Sequence, residues 1–170
     1  LFITCWYPYP QKPWKSYFIK EHALTIKQQG FNIRVLHINV VQGSHLFKTE
    51  IFERLNELNE TEIRITSRFD KKIYGLLPFL FPYIPGIKKV YRKLFRDFKP
   101  DLLHANVVFQ AGVIARILSN KFSIRYIITE HLSGVPALIK NPLFKYFIKR
   151  SVKGAEKITA VSEFHKSQLL

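Results

Sequence analysis

Scarcity is the first feature of this sequence. Cys5 is the one cysteine in 170 residues, which excludes a disulfide framework and any cysteine-built zinc site. Methionine is absent, and 12 acidic residues stand against 27 Lys and Arg, a formal net charge of +15. Such a surface attracts polyanions: nucleic acid, anionic lipid or phosphorylated substrates. No apolar run reaches the ~18 residues a membrane-spanning helix needs. No basic stretch followed by an apolar run opens the chain, so a signal peptide is not expected. There is no G-x-G-x-x-G, which argues against a standard dinucleotide cradle, and no G-x-x-x-x-G-K-[ST], H-E-x-x-H or G-x-S-x-G. The six histidines show no metal-ligand spacing.

What is present is globular. Hydrophobic residues make up 47% and charged residues 23%, values that exclude disorder. The length suits one domain. Leu1 already lies inside an apolar run, and the residues from Glu163 to Leu170 read as a helix just begun. The expectation is therefore a single domain over 1–170, truncated at both ends, from a longer protein.

Along the chain, β-prone runs alternate with helix-period stretches. Phe2–Trp6 reads as a first strand and Tyr7–Trp14, with three prolines, as loop. A helix follows over about Ser16–Gln29, with Phe18, Ile19, His22, Ala23 and Ile26 inward and Gly30 suited to its C-terminal end. Further strands are expected at Ile33–Ile38, Glu62–Thr66, Asp101–His104, Ile124–Thr129 and Lys157–Val161. Helices are expected at Phe47–Leu58, Val107–Asn120 and Asn141–Lys153, and from Ser162, a good N-cap. The order implies an α/β fold: a Rossmann-like, doubly wound, mostly parallel sheet with helices on both faces.

In such sheets ligands bind beyond the carboxyl ends of the strands. That rule selects His104, Asn106, Glu130, His131 and Ser162, which otherwise serve only to cap the helices that follow. His131, beside Glu130, could hold a phosphate or a sugar hydroxyl. His37, in mid-strand, and Cys5 read as core residues.

A proline-broken apolar stretch, 75–86, precedes an amphipathic helix at 87–99. Ile87, Tyr91, Leu94, Phe95 and Phe98 form one face of this helix. Lys88, Lys89, Arg92, Lys93 and Arg96 crowd the other, where like charges at i and i+4 repel. A facing anion would relieve them, and the apolar stretch beside them suggests an interfacial contact with an anionic membrane rather than a merely solvated face. Lys145, Lys149 and Lys153 make a second stripe.

Five segments, in order, resemble the N-terminal domain of GT-B glycosyltransferases of family 4. Phe2-Ile3-Thr4-Cys5-Trp6-Tyr7-Pro8, followed by Phe18-Ile19-Lys20-Glu21-His22, resembles the family's first strand, loop and helix. Gly30-Phe31-Asn32-Ile33-Arg34-Val35 is similar to its second-strand entry. Pro100-Asp101-Leu102-Leu103-His104-Ala105-Asn106 resembles its P-D-[IV]-[IV]-H-x-H strand. Thr129-Glu130-His131 resembles a T-x-H strand end, and Gly154–Ser162 resembles A-D-x-[IV]-x-[AV]-S.

The resemblance implies one half of a GT-B fold, the acceptor side, with a C-terminal donor-binding domain beyond this chain. It implies retaining transfer from a nucleotide-sugar (a UDP- or GDP-sugar) to a glycan or lipid-linked acceptor in cell-surface polysaccharide synthesis. No cofactor is expected in this domain and no metal. The enzyme would be of hexosyltransferase type, bacterial and cytoplasmic, peripheral to the inner face of the plasma membrane; this domain alone would be inactive. His131 matches the position that approaches the transferred sugar or its phosphate, and Glu130, His104, Asn106, Ser162 and Ser16 would line the cleft. Two departures stand out. Lys15-Ser16-Tyr17 lies where many members carry a loop glycine, and Asn106 stands where a second histidine is common. The rivals are a basic α/β nucleic-acid-binding domain, which shows no recognised motif here, and a non-catalytic Rossmann-like binding module.

Overall fold

The computed structural model describes residues 1–8, 13–44, 48–67, 94–132 and 134–168. In chain order the elements are β1 (Phe2–Thr4), α1 (Tyr17–Gln28), β2 (Val35–Gln42), β3 (Lys48–Arg54), β4 (Glu60–Ser67) and β5 (Leu102–Asn106). Then come α2 (Ala111–Phe122), β6 (Arg125–Glu130), α3 (Val135–Leu138), α4 (Pro142–Gly154), β7 (Lys157–Ala160) and α5 (Glu163–Ser167). They form two compact units, one of Leu1–Thr4 with Asp101–Leu170, the other of Cys5–Pro100. Among the described residues strands and helices are mixed along the chain, and four of the five strand pairings are parallel, as in an α/β Rossmann-like fold.

In the first unit β1, β5, β6 and β7 lie side by side and parallel, with Asn106 level with Thr129 and Thr129 level with Thr159. Leu103, Ala105, Tyr126 and Ile128 fall on one face and are buried. α2 brings Ile114, Ala115 and Leu118 into the same core. Its Gly112 is a point of close approach: a methyl there would stand 3.4 Å from Ile128 Cδ1 and 3.6 Å from Ser151 Cβ of α4. The Tyr126 hydroxyl donates to the Ser151 carbonyl at 2.5 Å. Asn141 caps α4 by accepting from the amides of Leu143 and Phe144 at 2.9 and 3.3 Å. Lys145, Lys149 and Lys153 are exposed on α4. The segment expected to be loop after Glu130 contains α3, with Pro136 near its start, where a missing N–H costs nothing.

In the second unit β2 pairs with β4 in parallel and β3 with β4 antiparallel. The helix expected over Phe47–Leu58 is not formed; the segment supplies β3 instead. Leu55, within the expected helix, is 92% exposed. What decides is the cross-strand ladder, which sets Glu50 opposite Arg64 and Arg54 opposite Glu60. Within α1, Ile19 and Ala23 are buried as expected, whereas Phe18 is exposed. Leu94 is buried, and Arg96 and Lys99 point to solvent, as the amphipathic reading has it. The remainder of that region, with Lys88, Lys89, Arg92 and Lys93, lies outside the described residues.

One face of this unit carries a buried ionic network. Glu62 accepts from Asn39 Nδ2, Arg64 Nε and Arg54 Nη2, each at 3.0 Å. Glu60 accepts from the Tyr7 hydroxyl at 2.7 Å and from Arg54 Nη1 at 3.4 Å. Burial works against ionisation of Glu62, but the Asn39 and Arg64 hydrogen bonds prevail and hold its carboxyl below the ordinary value of 4.5. Burial lowers the His37 imidazole to about 4, so it sits neutral in the core.

Arg54→Met leaves two buried carboxylates with less compensation. The expected loss is about 2 kcal/mol near neutral pH, below the figure for a fully buried pair because the Arg54 side chain is 31% exposed. A carboxylate whose folded value is depressed contributes stability above its unfolded value, and that contribution disappears as pH falls through the folded value. Urea denaturation near neutral pH and in acid therefore shows the penalty shrinking in acid.

Candidate functional site

The site builds up from the parity of three parallel strands. Residues level with one another share a face, so His104 and Asn106 on β5, Thr129 on β6 and Thr159 on β7 share one, opposite to the face that α2 and α4 cover. His104 Nε2 lies 2.7 Å from Thr129 Oγ1, which lies 2.9 Å from Thr159 Oγ1. At the carboxyl end, His131 Nε2 lies 3.2 Å from Asn106 Oδ1. Asn106 is 1% exposed and its Nδ2 is buried without a hydrogen-bond partner.

Beneath this end lies Glu130, fully buried. One carboxylate oxygen accepts from the Val108 amide at 2.8 Å, the other from the Leu132 amide at 2.6 Å. The His131 amide adds a further hydrogen bond. Its backbone carbonyl accepts from the Val161 amide at 3.3 Å. Burial raises the Glu130 carboxyl above its ordinary 4.5 in spite of these three amides, which act to lower it. The loop it holds is strained: Val107, with φ 77°, and Gln110, with φ 64°, are both in the region that favours glycine. The Val107 amide donates to the Thr129 carbonyl at 2.9 Å, and the Gly112 amide to the Val107 carbonyl at 3.1 Å.

The structure thus brings Asn106, Glu130 and His131 together at the strand ends, whereas His104, expected at the end of its strand, lies inside β5 against Thr129 because β5 runs on to Asn106. Glu130 does not line a cleft as expected; it lies underneath and holds the backbone on either side. Ser162 is exposed and caps α5, accepting from the His165 amide at 3.2 Å and lying 2.7 Å from His165 Nδ1, which is the plain capping role. Ser16 belongs to the other unit and directly precedes α1. It makes no side-chain cap bond and has φ 53°, the left-handed conformation a glycine would adopt freely. Arg96 is exposed, 3.3 Å from Asp97. Thr129 and Thr159 were not selected from sequence as site residues, although their even spacing from His131 and Lys157 carries the parity that places them. Among the described residues no group of three or more His, Cys, Asp or Glu is placed to hold a metal ion. The arrangement offers hydrogen-bond donors and acceptors at the strand ends.

A family model described as Glycosyltransferase Family 4 matches residues 16–170. The chain is 31% identical over 87 residues to an uncharacterized glycosyltransferase of Methanocaldococcus jannaschii, covering 51% of this chain and 25% of that protein. It is 29% identical over 177 aligned positions to a Bacillus subtilis protein named as a teichuronic acid biosynthesis glycosyltransferase, TuaC, covering 99% of this chain and 44% of that protein. The chain therefore spans less than half the length of either relative.

Replacing Glu130 by Gln sets an amide donor against a backbone donor. Amide hydrogen exchange is expected to quicken at Val108 or Leu132 in E130Q; unchanged protection at both would remove the holding role assigned to the carboxylate. The pH dependence has the opposite sign to that of Glu62. A raised folded value means stability that is full below 4.5 and is lost as pH rises through the folded value. Urea denaturation across that window should show wild type declining relative to E130Q.

Proposed function

This chain belongs to Glycosyltransferase Family 4, and from that membership we propose that it is the acceptor-side domain of a retaining transferase that uses a nucleotide-sugar. A donor-binding domain would complete the enzyme. The observation that carries this reading is the His131–Asn106 pair at the carboxyl ends of β6 and β5, held from below by a buried carboxylate. That is where a doubly wound sheet binds its ligands. In this reading the imidazole contacts the transferred sugar and stabilises it as the bond to the nucleotide breaks. The likeness to a protein named for teichuronic acid biosynthesis supports an acceptor in cell-surface polysaccharide synthesis, glycan or lipid-linked.

Association with an anionic membrane is the second part of the proposal. No helix among the described residues is long and apolar enough to cross a membrane. The observation favouring a peripheral contact is the aromatic cluster at the start of α1: Trp14, Tyr17 and Phe18 are 73%, 48% and 51% exposed. Lys15 stands among them and is exposed too. Exposed aromatic rings beside cations suit the headgroup region of a bilayer. This site of contact differs from the basic helix singled out from sequence and adds to it.

Two experiments test the proposal. The full-length protein is screened with UDP- and GDP-sugars, and the anomeric configuration of the product is read by NMR. Transfer with retention is expected, and His131→Ala should lower kcat/KM by about 100-fold, the scale of one lost polar contact to the transition state; an unchanged rate would remove His131 from the reaction. Separately, Trp14→Ala should weaken sedimentation with anionic phosphatidylglycerol vesicles at low salt. Equal binding by both proteins would discard the aromatic contact, and tighter binding to DNA than to vesicles would favour a nucleic-acid partner.

A further inference from the structure

The Asn106 amide sets a problem of satisfaction. Its Oδ1 faces His131 Nε2 at 3.2 Å, while its Nδ2 is buried with no partner. As placed, one polar atom of a side chain only 1% exposed is unmatched. Native structures rarely leave such an atom without a reason, and a ligand is the usual one at a strand's carboxyl end.

The surroundings define what that ligand atom can be. A phosphate needs cations or free backbone amides, commonly at a helix N-terminus. Four of the backbone amides at this end are already engaged. Val107 donates to the Thr129 carbonyl, Ala111 to the Phe109 carbonyl and Gly112 to the Val107 carbonyl, and Val108 donates to Glu130. Segments 106–110, 130–139 and 161–165, which leave β5, β6 and β7 at this end, contain two carboxylates, Glu130 and Glu163, and no lysine or arginine. In a chain of net charge +15, these three segments carry no lysine or arginine of their own, and the buried carboxylate opposes an anion.

We infer that Asn106 is a ligand-contacting residue whose amide, with the His131 imidazole beside it, binds an uncharged hydroxyl oxygen of a sugar and not a phosphate. The inference rests on the transferase reading for the identity of the ligand as a sugar, but not for the atom that is bound. It makes Asn106 a specificity determinant, because a site built to hydrogen-bond a hydroxyl discriminates strongly against ligands that lack one there.

The test uses full-length, 15N-labelled protein. The side-chain amide resonance of Asn106 is assigned by its loss in Asn106→Asp. Methyl glycosides of glucose, galactose and mannose are titrated against inorganic phosphate at matched ionic strength. A saturable shift of the Asn106 amide with at least one glycoside, and none with phosphate, is expected. A shift with phosphate alone, or with no probe, overturns the inference. In Asn106→Asp the affinity for the responding glycoside should fall about tenfold or more. The His131 pKa, followed by imidazole NMR, should rise beside the new carboxylate; an unmoved His131 titration would also overturn the pairing. The wild-type titration stands even if the variant folds poorly. Failure of the two readings is distinguishable. Transfer activity with an amide that ignores glycosides removes the hydroxyl site and leaves the transferase. A responding amide in a protein that transfers no sugar does the reverse.

Discussion

The site end of the first unit depends on one buried carboxylate. Glu130 ends β6, and its two oxygens take the amides of Val108, after β5, and Leu132, after β6. Two loops that leave neighbouring strands are thereby tied to one rigid point. The tie explains how Val107, a β-branched residue, persists at φ 77°: strain of about 1–3 kcal/mol survives only where the surroundings over-determine it. The same tie sets the backbone of His131, the next residue, and so sets the distance from its ring to Asn106. A buried carboxylate is costly, and here it is accepted because each of its oxygens has a backbone donor.

The two units treat buried polarity in opposite ways. In the second, Glu60 and Glu62 face Arg54 and Arg64, so charge is cancelled by charge and the groups saturate one another. Burial leaves His37 neutral beside that network, which couples β3, β4 and β2 through side chains as well as through the ladder. In the first unit the polar face carries His104, Thr129 and Thr159 in a run of neutral contacts, ending at an amide with an atom to spare. Saturated ionic clusters stabilise and specify; unsaturated neutral ones at strand ends are available to a ligand.

Much of this was legible in the sequence. Strand–helix alternation gave the fold class, and the rule about carboxyl ends chose His104, Asn106, Glu130 and His131 before any geometry was known. Asn141 was placed at the start of a helix and Ser162 at an N-cap, both as found, because capping is local chemistry. Errors arose where tertiary pairing decides. Residues 48–54 have enough helical spacing to suggest a helix, yet their cross-strand charges match β4, and pairing overrides local periodicity. Glu130 was legible as important but not as buried, since burial of a carboxylate depends on donors brought from Val108, 22 positions away. The strain at Val107 and Gln110 left no mark in composition, because neither is glycine.

Charge placement is the remaining constraint. A chain with 27 cationic side chains might be expected to bind any anion anywhere, yet lysines and arginines are absent from the three segments at the candidate site. On α4 they are exposed to solvent, and beside α1 they accompany exposed aromatic rings. Exposed cations attract anions at long range and are screened by salt over about 8–10 Å; they concentrate a ligand or a surface without selecting its atoms. Selection falls to short-range, directional groups, and at the carboxyl ends of β5 and β6 those are an amide and an imidazole. On the proposed reading the net charge would draw the protein to an anionic surface, and Asn106 with His131 would select the ligand there. Composition read alone left nucleic acid, anionic lipid and phosphorylated substrates open, because net charge selects for polyanions in general and for no particular atom.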